Sequence, residues 1–283
     1  MARPHIEFIQ AQALPWRRGL PGGIRNDVEV KLLSRDADSG ACTAILRYPE
    51  GWARLNDETL GADEEFFVLA GHLEIGGIGY GPYDYAYLPA GHVRRKARSA
   101  RGAVVLTFFE AEPRPARDRE NFRPDGGLVE RIDTNLADWK LALHDPKVPY
   151  GLMTKTLRID PDTQERTWMN ALLPGSGGMQ EGSLGAKEFH PVVEEMFQLS
   201  GDLCYDYGRV MPGGYFWRPP GKLHGPFGTR TGYFQLFRCK GGPLVNNWTE
   251  PEHRFTYDPR HAPVLPPDLM PFGAQPYTGQ APY

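Results

Sequence analysis

Two imidazoles and two carboxylates stand close enough in this chain to share one ion. Glu188, His190 and Glu194 form the block Glu188-x-His190-x3-Glu194, and His224 follows a Pro219-Pro220-Gly221 turn. On an extended chain Glu188 and His190 share a face, because successive side chains alternate. Glu194 opens the run Glu-Glu-Met-Phe-Gln-Leu-Ser that ends at Gly201, and the later turn can fold a strand back beside it. Carboxylate oxygen and imidazole nitrogen suit Fe(II), Mn(II), Zn(II) or Ni(II), with no soft thiolate indicated. Four such donors on an octahedral ion leave about two positions for substrate, water or oxygen.

The full spacing, Glu188-x-His190-x3-Glu194-x6-Gly201 and then Gly213-x5-Pro219-x-Gly221-x2-His224, resembles the two motifs of the cupin family. Glu188 stands where that family usually has its first His, and the final Asn of the second motif is absent. The resemblance implies a jelly-roll barrel holding one divalent metal per chain on Glu188, His190, Glu194 and His224. His190, Glu194 and His224 carry the motif most closely; Glu188 is either a ligand or a proton-transfer group with a catalytic role. Fe(II) is the preferred ion by this resemblance, because dioxygenases are the most frequent metal cupin enzymes. Mn(II) or Zn(II) would instead serve hydrolysis, isomerisation or decarboxylation, and other cupins bind small molecules without turnover.

Strand parity extends the expected pocket. Met196 and Gln198 share the parity of Glu194, and Tyr215, Phe216 and Trp217 offer aromatic walls of which one parity faces inward. Arg218 and Arg238 are candidates for a substrate carboxylate. Glu195 competes with Glu194 for the inward register, but alternation turns it to the opposite face.

The elements that must position these residues read as strands and turns. The 33 glycines and 27 prolines punctuate short apolar runs. Strands are expected at 28–33, 44–48, 65–70 and 104–109, and again at 154–159, 167–173, 196–199, 215–218 and 233–238. One short helix is expected within 128–143, joining the halves.

A shift of 130 residues aligns Glu64 with Glu194, Phe67 with Phe197, Gly71 with Gly201, Tyr85 with Tyr215, Pro89 with Pro219 and Gly102 with Gly232. It gives twelve identities over 43 ungapped positions, against roughly three from average residue frequencies. The chain is therefore read as all-β, with two tandem jelly-roll barrels: a first at 1–126, a second at 127–250, and an extended Pro-rich tail at 251–283 lying on a barrel or on the partner of a homodimer.

At the ligand positions the first copy has Glu58, Leu60, Glu64 and Arg94. Leu60 cannot ligate and Arg94 is a fixed cation, so no metal is expected there. Arg94 is expected to take the place of the ion and pair with Glu64 or Glu58.

Composition bounds the partners. The 283 residues are 40% hydrophobic and 24% charged with a net charge of -3, a globular balance without a general pull towards nucleic acid or anionic membrane. The basic run Arg94, Arg95, Lys96, Arg98, Arg101 lacks interleaved aromatics for stacking bases. The N-terminus has no uninterrupted apolar core and no later run is long enough to span a bilayer, so a cytoplasmic protein is expected. Cys42, Cys204 and Cys239 are read as small core residues, and the partner as a small polar organic molecule.

Overall fold

The structure, a computed structural model, describes residues 3–116, 126–142, 147–148, 150–174, 179–274, 277, 279 and 283. It resolves two compact units. One is built on Leu14–Ala137; the other joins Pro4–Ala13 to Asp138–Tyr283. Among the described residues, no helix is long and apolar enough to cross a membrane.

Each unit contains a seven-stranded antiparallel sheet, and the strand orders correspond. The first unit runs Val129–Asp133, Asp84–Leu88, Glu64–Gly71, Ala103–Phe109, Cys42–Tyr48, Glu29–Arg35, Arg17–Arg18. The second runs Ile6–Gln10, Gly214–Arg218, Val193–Gly201, Tyr233–Lys240, Arg166–Leu172, Met153–Ile159, Lys140–Leu141. Register matches too: Glu64 lies opposite Leu88 and Phe109, and Glu194 opposite Arg218 and Cys239, each pair related by the shift of 130. Every strand expected from the apolar runs is present.

The expected helix within 128–143 is not. Val129–Asp133 forms a strand along the open edge of Asp84–Leu88, where ladder hydrogen bonds outweigh the weak helical period; residue 143 lies outside the described residues. The division also departs from a cut at 126/127. The first strand of the chain, Ile6–Gln10, completes the second unit's sheet, while Val129–Asp133 closes the first unit's edge. The equivalent strand of each repeat is thus housed in the other repeat's unit.

The tail at 251–283 belongs to the second unit. Val264 exchanges backbone hydrogen bonds with Glu7, His253–Arg254 pairs with Leu184–Gly185, and Phe255 is buried.

Each unit buries its own apolar cluster, and the three cysteines are free and buried. The repeated glycines have a steric cause. Gly71 and Gly201 take φ of +75° and +70°, and a Cβ there would meet the carbonyl oxygens of Gly102 and Gly232 at 2.2 and 1.8 Å. Gly221 has a similar φ of +78° but nothing within 4 Å. Gly221→Ala should therefore cost only the left-handed backbone, about 1 kcal/mol, and Gly201→Ala distinctly more. Equal melting temperatures for the two variants would refute this.

Candidate functional site

The second unit brings Glu188, His190 and His224 together. Each offers one ligand atom, and these atoms lie within 4.8 Å of one another. Backbone pairing makes the approach: Glu188 and His224 exchange N–H to carbonyl bonds of 2.9 and 3.0 Å, and the amide of Gly221 donates to the His190 carbonyl at 2.8 Å. Glu188–Phe189 also pairs with Asn247–Trp248, which draws the preceding loop over His190.

Both imidazoles have one nitrogen committed and one free. His190 Nδ1 lies 3.1 Å from the Val245 carbonyl and His224 Nδ1 2.8 Å from that of Lys222. A carbonyl only accepts, so each Nδ1 carries hydrogen and, in the neutral ring, each Nε2 presents a lone pair. Both Nε2 atoms are buried without a hydrogen-bond partner. An orphaned buried acceptor costs free energy unless something satisfies it. His224 Nε2 lies 3.6 Å from Glu188 Oε1 and 3.5 Å from Glu194 Oε2, and His190 Nε2 lies 3.6 Å from Glu194 Oε1. These separations are long for hydrogen bonds. Nitrogen and carboxylate donors converging in this way fit a divalent cation.

Glu194 is held differently. Its Oε2 accepts from Arg218 Nη1 at 2.7 Å, and Arg218 in turn grips Glu7 with Nε and Nη2. All three side chains are buried, and the Tyr205 hydroxyl donates to Glu7 at 2.7 Å. Burial works to raise the Glu194 carboxyl, but neighbouring positive charge, the Arg218 guanidinium hydrogen-bonded to it included, outweighs it and holds it below the ordinary carboxylate range. For Glu7, Arg218, His5 and Tyr205 overcome burial and bring it to about 2.

The cavity above this group, about 240 Å³, is lined by Glu188, His190, Glu194, Arg218 and Phe216 together with Arg166, Trp168, Tyr233, Gln235 and Trp248. The inward parity of Gly214–Arg218 is thus that of Phe216 and Arg218. Tyr215 and Trp217 do not line the cavity; Tyr215 donates to Glu195 at 2.6 Å on the sheet's other face. Met196 is packed into the core, and Gln198 is fully buried against Gln235, so neither reaches the cavity wall. Arg238 is spent on Glu195 at 2.8 Å, and Arg218 on two carboxylates, so neither is a free anion site.

Sequence reading missed Glu7 and Arg166. Parity offered a signal for Arg166, which alternates with Trp168 and Asn170 along one strand face; for Glu7 nothing local announced a strand belonging to the second unit.

Among solved structures, a provisionally assigned dioxygenase of Nostoc punctiforme matches with a TM-score of 0.71 at 19% identity, over 92% of this chain and 92% of its own. Bacillus subtilis oxalate decarboxylase matches with a TM-score of 0.52 at 11% identity, over 85% and 78%. A cupin 2 conserved barrel domain protein of Leptotrichia buccalis matches with a TM-score of 0.51 at 10% identity, over 83% and 97%. The chain has the bicupin fold. No family model and no curated protein matches it.

The first cupin unit fills its corresponding position with charge. Arg94, fully buried, donates from Nε to Glu64 at 2.7 Å, and Arg25 reaches the same carboxylate with both terminal nitrogens at 2.6 and 2.9 Å. Arg25 also binds Glu58 at 2.7 Å, and Arg54 binds Glu58 at 2.9 Å. Leu60 is buried beside them. Arg25 holds φ of +50°, an uncommon backbone state for an arginine, at the centre of this network of five charged side chains.

Burial would raise Glu64, yet Arg25 and Arg94 bring it from 4.5 to about 2. A depressed carboxylate contributes stability that is present above its unfolded pKa and is lost as pH falls towards the folded one. The contribution is roughly 3 kcal/mol at neutral pH. The first unit should therefore lose stability between about pH 4.5 and 2, and Glu64→Gln should flatten that fall while lowering stability at pH 7. An unaltered acid profile in the variant would refute it. In the second unit, Glu7→Ala strips Arg218 of its bidentate partner and should cost about 3–5 kcal/mol; an unchanged melting curve would show that Arg218 does not depend on the N-terminal strand.

Proposed function

We propose that this bicupin is a mononuclear metal-dependent enzyme acting on a small polar organic molecule, with Fe(II)-dependent dioxygenation as its reaction. The observation that carries the reading is the pair of buried, orphaned Nε2 atoms converging with Glu188, beside a cavity that Glu188 and His190 line. His190, His224 and Glu188 would hold the ion, with Glu194 beside both imidazoles and its second oxygen kept by Arg218. When bound, Fe(II) would supply oxygen activation next to the coordinated substrate.

The chain's own contribution is positional. The Val245 and Lys222 carbonyls fix both imidazole tautomers, so the donors face the cavity before anything arrives. Phe216, Trp168 and Phe237 give the cavity an apolar wall. Arg218 holds Glu194 in place through a bond anchored on Glu7.

The carboxylate at position 188 supports a second reading. A further anionic donor competes with an anionic chelating substrate, which favours redox-neutral hydrolysis, isomerisation or decarboxylation at Mn(II) or Zn(II). The likeness to oxalate decarboxylase is compatible with it.

Protein purified without chelator or nickel resin should contain about one ion per chain, lost in both His190→Ala and His224→Ala; two ions per chain, or retention in both variants, defeats the site. Fe(II)-loaded protein should consume oxygen with hydroxylated aromatic acids, catechols or β-dicarbonyl compounds. Turnover without oxygen at Mn(II) or Zn(II) would establish the redox-neutral reading, and ligand binding without product under either condition a sensor. Glu188→Gln separates the roles of that residue: weakened metal binding marks a ligand, intact metal with a lower kcat a proton-transfer group.

A further inference from the structure

Arg166 is the cation in the cavity that the fold leaves uncommitted. It opens the strand Arg166–Leu172 and lines the same cavity as Glu188, His190 and Glu194. Its guanidinium carbon stands 4.1 Å from the centre of the Trp168 ring, a stack that fixes its plane, and Trp168 is tied by its indole N–H to Asn170 Oδ1 at 3.0 Å. Its Nε is buried without a hydrogen-bond partner, and among the described residues no carboxylate pairs with it. Two other arginines of this unit hold carboxylates: Arg218, in the cavity, those of Glu7 and Glu194, and Arg238, on the sheet's other face, that of Glu195. Burial pulls the Arg166 pKa below its ordinary value, with Cys239 and Glu194 opposing, the mark of a guanidinium short of counter-charge.

The other repeat supplies a contrast. In register, Arg166 lies opposite Cys239, and the equivalent residue, Cys42, lies opposite Phe109. The unit whose ligand positions hold Leu60 and Arg94 thus has a small neutral residue where the metal-competent unit has a stacked, unpaired arginine. A divalent ion on the histidines would add positive charge to the cavity that Arg166 lines and favour an anion there.

We propose that Arg166 is the substrate-recognition residue of this cavity, and that the substrate class is small organic acids whose carboxylate docks on its guanidinium while the rest of the molecule faces His190, His224 and Glu188. Without a carboxylate the buried Nε remains unsatisfied; with one, a planar, pre-stacked fork gains a charge-assisted partner. The proposal deepens the metalloenzyme reading and rests on it for the second half of that orientation, whereas anion capture by Arg166 stands separately.

The test compares carboxylates with neutral amides of the same shape, salicylate with salicylamide and malonate with malonamide, by calorimetry on the full chain, both metal-loaded and stripped by chelator. Wild type should bind at least one carboxylate more tightly than its amide. Arg166→Gln should weaken that carboxylate by roughly tenfold or more, leave the amide's affinity and the metal content unchanged, and abolish the preference; Arg166→Lys, which keeps charge but loses the fork, should retain part of it. A preference that depends on Arg166 in protein that takes up no metal would keep the anion site and sink only the metalloenzyme reading. Equal carboxylate affinity in wild type and Arg166→Gln, or no preference for either carboxylate in wild type, overturns the proposal while a full metal complement would leave that reading intact. Loss of fold in Arg166→Gln, seen in its melting curve, passes the decision to Arg166→Lys, where unchanged carboxylate affinity and selectivity overturn the assignment.

Discussion

A glutamate that begins an inward-facing strand and has almost no contact with water must find positive charge, and each half of this chain is arranged around that demand. Glu64 and Glu194 occupy equivalent places, 2% and 6% exposed, near the start of an interior strand of their sheets. Isolated there, either carboxylate would cost several kcal/mol or take up a proton. The first unit answers with Arg25 and Arg94. The second answers with Arg218 and leaves two imidazoles facing the other side of the carboxylate.

The difference between those answers separates the two units. Two guanidiniums, those of Arg25 and Arg94, meet the charge of Glu64 from both of its oxygens. On Glu194 one oxygen is bonded to Arg218, while the histidine Nε2 atoms beside it stay unsatisfied. The unit therefore retains an unfilled demand for a cation at one place and, at Arg166, for an anion a short way along the same wall. Such deficits are expensive in a folded interior, and they gather at sites where a bound species removes them.

The counter-charge also links the site to chain connectivity. Arg218 is neutralised from its other side by Glu7, which arrives on the first strand of the chain, and the tail seals that strand through Val264. The second unit's electrostatics thus depend on residues from both ends of the sequence. Its local stretch, 138–250, carries the histidines but not the carboxylate that steadies their neighbour.

The sequence by itself determined the repeat, the nine strands, the neighbourhood of Glu188, His190, Glu194 and His224, of which the fold gathers the ligand atoms of Glu188, His190 and His224 most closely, and the presence of Arg94 at a ligand position, where it pairs with Glu64. These were legible because they rest on local rules: period-two alternation, glycines that only a left-handed backbone and a close carbonyl can explain, and a fixed spacing around turns. Tertiary structure decided the rest. It placed Ile6–Gln10 in the second unit and made a strand of 129–133, because sheet edges recruit partners without regard to chain position. It committed Arg218 and Arg238 to buried carboxylates and left Arg166 open, since a charged side chain takes whichever opposite charge the packed fold brings nearest. It also turned Phe216 inward and Tyr215 outward, because register, which sequence alternation alone leaves ambiguous by one residue, is set by the cross-strand pairing of Met196 with Phe216.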